Sequence, residues 1–246
     1  MAKVVAVYQL GTVEYNAACQ LQEEVAAARV GDAIGDTLLL LQHPPVITVG
    51  RWGGWEDVLA SAALLRRKGV DLLPTDRAGR ATYHGPGQLI AYSIFKLPDR
   101  DLHGYVWRLE ETVIRVLEVY GLQAGRLVAQ PGVWLAGNKI AAIGLAVRQG
   151  VTRHGVAINV APRLDHFDLI VPCGLADQGV TSMARELGRA VDPEAVGRQY
   201  AATLGEVFDC QVAWTDPALL PPVPGVGPEH TSRSEVEKRP GSAGAG

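Results

Sequence analysis

The sequence predicts an α/β fold in which mixed β-sheets are flanked by helices. Over the first 120 residues, short apolar runs typical of strands alternate with segments of helical periodicity. Between residues 133 and 160, three strand-like segments follow one another, and the last two are joined at Gln149-Gly150 in the manner of a hairpin. The 246 residues, 48% apolar and 20% charged, fit a folded chain of one large domain or two small ones.

The predicted elements of the first half each follow from a local signal. Thr12 is the expected N-cap of the first helix, and Gly31 lies just past its end. His43-Pro44-Pro45 gives a rigid turn between two short strands, because proline fixes its own φ angle. Residues 76–88 are polar and contain glycine, so we expect a long loop there. In chain order, the elements are a strand at 4–8, a helix at 13–29, strands at 38–41 and 46–49, a helix at 56–68, strands at 70–74 and 89–97, and a helix at 103–120.

The second half places strands before helices and ends in a segment of different composition. Asp192 is the expected N-cap of the last helix, because Pro193 then takes the first helical position. From Pro217 onward, 11 of 30 residues are Pro or Gly, which predicts a disordered tail at 217–246 after a catalytic domain at 1–216. The elements are strands at 133–135, 139–148 and 151–160, helices at 181–188 and 193–208, and a strand at 211–214.

Charge and hydropathy exclude several classes of protein. Twenty-three Lys and Arg against 26 Asp and Glu give a net charge of -3 without a basic run, so nucleic acid is not an expected partner. The apolar stretches at 38–41 and 141–147 fall far short of the roughly 20 residues that span a bilayer. The single Lys3 and the early Glu14 make a poor signal peptide, and we expect a cytoplasmic protein without a membrane helix.

Common nucleotide, hydrolase and metal motifs are missing from the sequence. There is no Gly-x-x-x-x-Gly-Lys-Ser/Thr loop and no Gly-x-Ser-x-Gly elbow, and Gly85-Pro86-Gly87 precedes a strand instead of following one. The six histidines include no pair at metal-ligand spacing on a helix, so we expect no metal. The histidines are at positions 43, 84, 103, 154, 166 and 230.

Cys173 is the cysteine whose sequence context fits a nucleophile. Cys19 on the first helix and Cys210 at the entry to a strand are expected to be inert core thiols. Cys173 lies between Pro172 and Gly174, in a loop followed closely by a helix, where nucleophiles often occur. A buried packing cysteine is the alternative interpretation. A thiol with an ordinary pKa near about 8.5 is mostly protonated at neutral pH, so a nucleophilic Cys173 needs a basic neighbour.

Lys139 is the candidate for that neighbour. If Gln149-Gly150 is a two-residue turn, paired positions sum to 299, and Lys139 then lies opposite Val160, 13 residues before Cys173. That length of chain is enough to return the thiol to Lys139. A lysine that snorkels at a strand end remains the alternative.

The same register places Gly144 opposite Gly155. Two missing side chains on neighbouring strands indicate a shallow ligand trough, although a β-bulge would explain either glycine alone. Strict alternation puts Lys139 and Gly144 on opposite faces, so a bulge, or a strand that begins after Lys139, is required if both line one site. His84 and His154 are candidates for polar groups of that site, and each is alternatively a structural histidine.

Together these segments resemble the lipoyl(octanoyl) transferases of lipoate biosynthesis. The match covers nearly residues 4 to 214, and the combination of His-Gly-Pro-Gly-Gln with a later Pro-Cys-Gly is specific. In one departure, the family usually has Arg-Gly-Gly where this chain has Arg77-Ala78-Gly79. If position 78 needs positive φ, alanine costs about 1–2 kcal/mol. The matching blocks are His43-Pro44-Pro45-Val46, Asp76-Arg77 with Thr82 to Gln88, Gly132-Val133-Trp134 with Lys139 to Gly144, His154 to Asn159, and Pro172-Cys173-Gly174.

The resemblance implies a cofactor-free fold similar to the biotin and lipoate protein ligase catalytic domains, with a dyad of Cys173 and Lys139. It implies that three segments, residues 77–84, 142–144 and 154–156, line the acyl site. Backbone amides near Gly174 or Gly79 are candidates for stabilising the oxyanion. The implied substrate-binding residues are Arg77, Ala78, Gly79, Arg80, Ala81, Thr82, Tyr83, His84, Ala142, Ile143, Gly144, His154, Gly155 and Val156.

The implied activity is octanoyl transfer through an acyl-thioester intermediate. The implied donor is octanoyl-acyl carrier protein, and the implied acceptors are lipoyl domains of 2-oxoacid dehydrogenase E2 subunits and the glycine cleavage H protein. One alternative is an ATP-dependent lipoate ligase of the same fold, which usually carries three consecutive glycines where this chain has Arg77-Ala78-Gly79-Arg80. Another is a non-catalytic module that binds acyl proteins.

Overall fold

A computed structural model describes residues 3–97, 99, 101–128, 130–171 and 179–226 of the chain. The strands of these residues are β1 (Val4–Thr12), β2 (Asp36–Gln42), β3 (Val46–Val49), β4 (Asp71–Pro74), β5 (Ala81–His84), β6 (Gln88–Ile94), β7 (Gly125–Leu127), β8 (Gln130–Leu135), β9 (Asn138–Arg148), β10 (Val151–Asn159) and β11 (Gln211–Trp214). The α-helices are α1 (Tyr15–Val30), α2 (Ala62–Lys68), α3 (Leu102–Val119), α4 (Met183–Leu187) and α5 (Pro193–Val207). Short 3-10 helices lie at Trp55–Asp57, Leu164–Leu169 and Pro217–Leu219.

The strands form two mixed sheets, as predicted. The larger sheet has the order β11-β1-β2-β6-β10-β9-β8-β7, and the smaller sheet has the order β4-β3-β5. In the larger sheet β1 runs parallel to its two neighbours, β2 and β11. The other neighbouring pairs, which are β2–β6, β6–β10, β10–β9, β9–β8 and β8–β7, are antiparallel. Helices cover both faces of this sheet, because alternate strand side chains are apolar on each face. None of the helices in the described part of the chain is long and apolar enough to cross a membrane.

Each face of the larger sheet has its own hydrophobic core. Leu21 and Val25 of α1 pack on the face that carries Leu39 of β2, and these side chains are fully buried. The opposite face, with Leu38 and Leu40, packs against α3 and α5. At about 1.5–3 kcal/mol for each buried large apolar side chain, these two layers dominate the stability of the fold.

The β9–β10 hairpin has the predicted turn. Gln149 and Gly150 both have positive φ, 52° and 78°, as a two-residue hairpin turn with the favoured twist requires. The observed register runs from Val151 opposite Arg148 to Ile158 opposite Ala141, so the predicted pairing of β9 with β10 is confirmed over this range. At the last helix, the Asp192 side chain accepts from two backbone N–H groups and Pro193 begins α5, also as predicted.

The first and second predicted helices begin later than expected. Thr12 stays in β1 opposite Gln42, and the N–H of Val13 donates to the Gln42 carbonyl at 2.9 Å, so α1 begins only at Tyr15. The segment 56–68 is interrupted because its backbone pairs with the end of the distant 3-10 helix Leu164–Leu169. The N–H of Leu59 donates to the Leu169 carbonyl at 2.9 Å, and Ser61 then caps α2.

The segment expected to be one long loop, 76–88, contains β5. This strand pairs antiparallel with β3, and both belong to the smaller sheet. The prediction was wrong here because a four-residue strand is stabilised by a partner more than 30 residues away, a contact that local composition does not reveal. The short β7 was also not predicted.

The first ten residues of the predicted tail are folded. Val223 is 4% exposed, and Leu220 and Val226 pack with it against the core between α1 and the larger sheet. The composition argument failed because these few apolar side chains are spaced to contact that core. The remaining tail, 227–246, lies outside the described residues.

Candidate active site

Arg77 organises the loop between β4 and β5. Its guanidinium is buried and donates to the Thr48 carbonyl and to the Arg80 carbonyl, both at 2.8 Å. It also donates to the Thr48 hydroxyl at 2.8 Å and to the Ala78 carbonyl at 3.1 Å. A charged donor makes stronger hydrogen bonds than a neutral one. Arg77 therefore fixes the curvature of the 76–80 loop from within.

The left-handed position of this loop is Gly79 and not Ala78. Gly79 has φ of 94°, and Ala78 lies outside the left-handed region, so alanine carries no strain there. The N–H of Ala78 donates to the Leu145 carbonyl of β9 at 2.8 Å. Alanine at position 78, where the family usually has glycine, therefore does not incur the cost of about 1–2 kcal/mol that a positive φ angle would impose.

A buried cluster of histidine and tyrosine rings lies beneath the loop. His43 Nδ1 lies 2.6 Å from the Val13 carbonyl, which can only accept, so Nδ1 carries the proton and Nε2 accepts from the Tyr92 hydroxyl at 2.7 Å. Burial lowers the pKa of His43 to about 4, and this neutral tautomer is the form expected at neutral pH. The ring centroids of His43 and His84 are 5.8 Å apart. Burial, together with the nearby His43 and Arg77, lowers the pKa of His84 well below its ordinary value.

His154 binds the loop from the side of β10. Its Nε2–H donates to Asp76 at 2.8 Å, and Arg153 forms an ion pair with the other carboxylate oxygen. The hydrogen bond from His154 lowers the pKa of Asp76 to about 2, although partial burial acts in the opposite direction. Burial lowers the pKa of His154, although Asp76 acts to raise it. A neutral imidazole with its proton on Nε2 satisfies both observations.

The facing glycines of β9 and β10 are covered by the protein's own backbone. Gly144 pairs with Gly155 as predicted. However, a Cβ built on Gly155 would lie 2.1 Å from the Ala91 carbonyl oxygen, and one on Gly144 would lie 3.1 Å from that of Ala78. The two glycines allow close backbone approach. They do not leave an open trough at these positions, which corrects that interpretation.

The other predicted substrate-binding residues fall into two groups. Ile143 and Val156 point into the core beneath α3 and α5, and Tyr83 packs edge-on against His166 and Phe167 in a third core. These three side chains pack in the cores, and their contact with an acyl chain also stays a prediction. The group around the 76–80 loop comprises Arg77, Ala78, Gly79, Arg80, Ala81, Thr82, His84, Ala142, Gly144, His154 and Gly155, and its contact with an acyl chain stays a prediction.

A chain of buried amides links His84 to the backbone of Lys139. His84 Nδ1–H donates to Gln88 Oε1 at 2.7 Å, and Gln88 Nε2 donates to Asn159 Oδ1 at 2.9 Å. Asn159 Nδ2 donates to the Thr181 carbonyl at 3.0 Å, and the Thr181 N–H donates to the Lys139 carbonyl at 3.0 Å. Sequence reasoning missed Gln88, Asn159 and Thr181, since their association depends on the tertiary fold.

Lys139 lies at a bulge at the start of β9. Val133 pairs with Ala141 but Trp134 pairs with Lys139, so β9 has one extra residue, Ile140. Ile140 and Ala141 are both buried in the same core, which leaves Lys139 on the opposite face. That is the face of Gly144, so of the two alternatives considered from the sequence, a bulge or a strand that begins after Lys139, the structure has the bulge.

The predicted pairing of Lys139 with Val160 is wrong. The Val160 carbonyl accepts from Ala184 at 2.8 Å, and Lys139 instead forms a parallel bridge with Val180. The N–H of Lys139 donates to the Gly179 carbonyl at 2.9 Å. The pairing of β9 with β10 ends at Ala141, because residues 179–181 occupy the position beside Lys139 that β10 would otherwise take.

Cys173 lies outside the described residues, but both ends of its segment are described. At the first end, the Val171 N–H donates to the Asp57 carbonyl at 2.8 Å, and Arg80 Nε donates to the buried Asp57 carboxylate at 3.0 Å. At the second end lies Gly179 beside Lys139. The segment is therefore anchored to the 76–80 loop and to β9.

The other two cysteines are poor nucleophiles. Burial raises the pKa of Cys19 to about 11 and also raises the pKa of Cys210. Both remain mostly protonated thiols at neutral pH, as the sequence predicted. No group of three or more His, Cys, Asp or Glu side chains that could hold a metal occurs within the described ranges.

Similar proteins were found at the level of sequence. Residues 14–205 match the family model of the lipoyl protein ligase A/B catalytic domain. The octanoyltransferase of Chloroflexus aggregans is 48% identical over 212 residues, which are 84% of this chain and 96% of that protein. The octanoyltransferase of Caldicellulosiruptor saccharolyticus is 48% identical over 203 residues, which are 81% of this chain and 86% of that protein.

Solved structures share the fold at much lower identity. A bipartite lipoate protein ligase from Thermoplasma acidophilum superposes with a TM-score of 0.70 at 17% identity, covering 87% of each chain. The biotin protein ligase of Aquifex aeolicus superposes with a TM-score of 0.51 at 14% identity, covering 83% of this chain and 70% of that one. These values support the predicted fold class. From the family match and the relatives, the chain belongs to the lipoyl protein ligase A/B catalytic domain family, and within it to the octanoyltransferases, which are acyltransferases.

Proposed function

We propose that the protein transfers an octanoyl group from octanoyl-acyl carrier protein to a lysine ε-amine of lipoyl domains, the first step of endogenous protein lipoylation. The proposed intermediate is a thioester on Cys173, with Lys139 as the base. The acceptors would be lipoyl domains of 2-oxoacid dehydrogenase E2 subunits and the glycine cleavage H protein. The relatives are named octanoyltransferases, and the dyad, the donor and the acceptors are the parts proposed here.

The observation that carries the proposal is the pairing of Lys139 with the end of the cysteine segment. The Lys139 N–H and carbonyl are bonded to Gly179 and Thr181, so only five residues separate Cys173 from a residue bound to the lysine backbone. At the other end, Cys173 is two residues beyond Val171, which is bound to Asp57. A nucleophile and its base must come within hydrogen-bond reach. Both anchors of the segment favour that approach.

In the first half-reaction, neutral Lys139 takes the proton of the Cys173 thiol. The thiolate attacks the carbonyl carbon of octanoyl-phosphopantetheine, and the bond from that carbon to the pantetheine sulfur breaks. The leaving sulfur takes back the proton from the Lys139 ammonium. The products are octanoyl-Cys173 and the acyl carrier protein with a free phosphopantetheine thiol. Because one thioester replaces another, the step is near balance and needs no ATP.

In the second half-reaction, the lysine ε-amine of the lipoyl domain attacks octanoyl-Cys173. An amide bond forms, the bond from the acyl carbon to the Cys173 sulfur breaks, and the thiolate leaves. Lys139 takes the proton released by the attacking nitrogen and returns it to the sulfur. The enzyme is then back in its starting state. In each half-reaction Lys139 has accepted one proton and then donated it.

Two substitutions test these roles. Cys173→Ala should abolish the acyl-enzyme and transfer, while Cys19→Ala should retain both, because partial burial raises the pKa of the Cys19 thiol and keeps it protonated. Lys139→Arg keeps a cation but cannot accept a proton in a protein. We therefore expect Lys139→Arg to retain some reactivity of Cys173 toward a small alkylating agent and to lose turnover on the order of 10²–10⁴-fold. Near-normal transfer by either Cys173→Ala or Lys139→Arg would contradict the proposal.

A further inference from the structure

We infer that Trp134 is a positioning residue that holds the Lys139 ammonium over its indole face. The inference rests on the proposed role of Lys139 as the base of the dyad. Lys139 Nζ lies 4.6 Å from the centroid of the Trp134 ring, and the two residues are register partners on β8 and β9. A cation within about 6 Å of an indole centroid is attracted by the negative face of the ring.

The bulge explains why the two side chains meet. The extra residue Ile140 lies immediately after Lys139 and shifts the β8–β9 register by one, so that Trp134 and not Leu135 stands opposite the lysine. Opposite residues in an antiparallel pair have side chains on the same face. The bulge therefore selects the indole as the neighbour of the lysine.

Trp134 is itself held rigidly. The side chain is 4% exposed, whereas the other four tryptophans, Trp52, Trp55, Trp107 and Trp214, are all at least 51% exposed. Its Nε1–H donates to the Gln130 carbonyl at 3.4 Å. A buried ring face also provides a stronger attraction than an exposed one, because water does not compete for the cation.

Gly132 lies beside the lysine stem. A Cβ built on Gly132 would lie 3.6 Å from Lys139 Cε, an ordinary contact distance, but only 2.6 Å from the Ala141 carbonyl oxygen of β9, so the glycine permits the close approach of the two backbones. Gly132 has φ of 126° and donates its N–H to the buried Glu110 carboxylate at 3.0 Å, which ties this part of β8 to α3. The lysine stem thus lies over a fixed backbone and its ammonium over a fixed ring.

The consequence concerns the Cys173 thiolate that forms once Lys139 has taken the proton. If the indole holds the Lys139 ammonium in place, that thiolate has a positioned cation beside it, and the loss of the ring leaves a mobile cation. We expect Trp134→Leu to slow alkylation of Cys173 by iodoacetamide at pH 7 by roughly 2- to 30-fold, which corresponds to the range of cation–π attraction. Trp134→Phe should have a smaller effect, because a phenyl face attracts a cation less strongly than indole.

A double-mutant cycle separates this role from general packing. The alkylation rate at Cys173 is measured by mass spectrometry in the wild type, Trp134→Leu, Lys139→Met and the double variant. Trp134→Leu should have less than a roughly twofold effect in the Lys139→Met background. The same slowing in both backgrounds, or no slowing in the wild-type background, would overturn the inference. If Lys139→Met itself leaves alkylation unchanged, the proposed dyad fails instead.

Two further measurements test whether the effect is specific to Trp134 and whether it can be detected if Trp134→Leu does not fold. Trp214→Leu removes an exposed indole from the opposite edge of the larger sheet, and its Cys173 should be alkylated at the wild-type rate.

Uniform replacement of tryptophan by fluorotryptophan weakens the ring face without changing its shape, so it tests the role of Trp134 if Trp134→Leu does not fold. It should slow Cys173 alkylation in the wild type and have no effect in Trp134→Phe. Equal slowing in both proteins would refute a role for Trp134.

Discussion

Acidification should destabilise the protein through His43. The imidazole is completely buried, and burial lowers its pKa from 6.5 to about 4. Between these two pH values the unfolded chain binds a proton that the folded protein does not, so the free energy of unfolding falls as the pH falls. At about 1.36 kcal/mol for each pH unit between the two pKa values, His43 alone removes about 3 kcal/mol between pH 6.5 and pH 4.

The matched variant is His43→Gln, which does not titrate. Its amide can donate to the Val13 carbonyl, so only the pH dependence is compared and not the absolute stability. Urea unfolding at pH 7 and pH 4 should show that the wild type loses about 3 kcal/mol more than His43→Gln over this interval. His84 contributes in both proteins and cancels to first order. Equal losses in the two proteins would refute the assignment of a neutral, buried His43.

Two other predictions concern packing. A chain ending at Asp216 should lose about 2 kcal/mol because it lacks Val223, whereas a chain ending at Val226 should keep the wild-type melting temperature. Equal melting temperatures for the two truncations would show that 217–226 does not contribute. Gly155→Ala should cost about 1–3 kcal/mol, because its Cβ would meet the Ala91 carbonyl oxygen at 2.1 Å. Gly144→Ala should cost less in urea unfolding, because its nearest neighbour is 3.1 Å away; the reverse order would contradict this packing.

The features predicted well are those set by local chemistry. The Gln149-Gly150 turn adopts positive φ at both positions, and this fixes the pairing of Gly144 with Gly155. Asp192 followed by Pro193 is a local helix start, and α5 begins there. Counting side chains on alternate faces of β9 left two alternatives, a bulge or a strand that begins after Lys139, and the structure has the bulge.

The features predicted badly depend on distant partners. β5 exists because β3 pairs with it, and the 56–68 helix is broken because Leu59 bonds to Leu169. The hydrogen-bonded route from His84 to Lys139 passes through Asn159, which is 71 residues from its partner Gln88. No local pattern specifies such contacts. Sequence context nominated Cys173 and Lys139, and the family resemblance implied that they form a dyad, which remains a proposal; Lys139 is the one of the two that the structure describes.

The most direct test of acyl transfer through Cys173 is the intact mass of the protein after mixing with octanoyl-acyl carrier protein in the absence of ATP. We predict a mass increase equal to one octanoyl group, located on Cys173 by peptide mapping. The increase should disappear when a lipoyl domain is added, and it should not form in Cys173→Ala. Octanoyl transfer to the lipoyl domain without any acyl-enzyme, or acylation that requires ATP, would contradict the proposed mechanism.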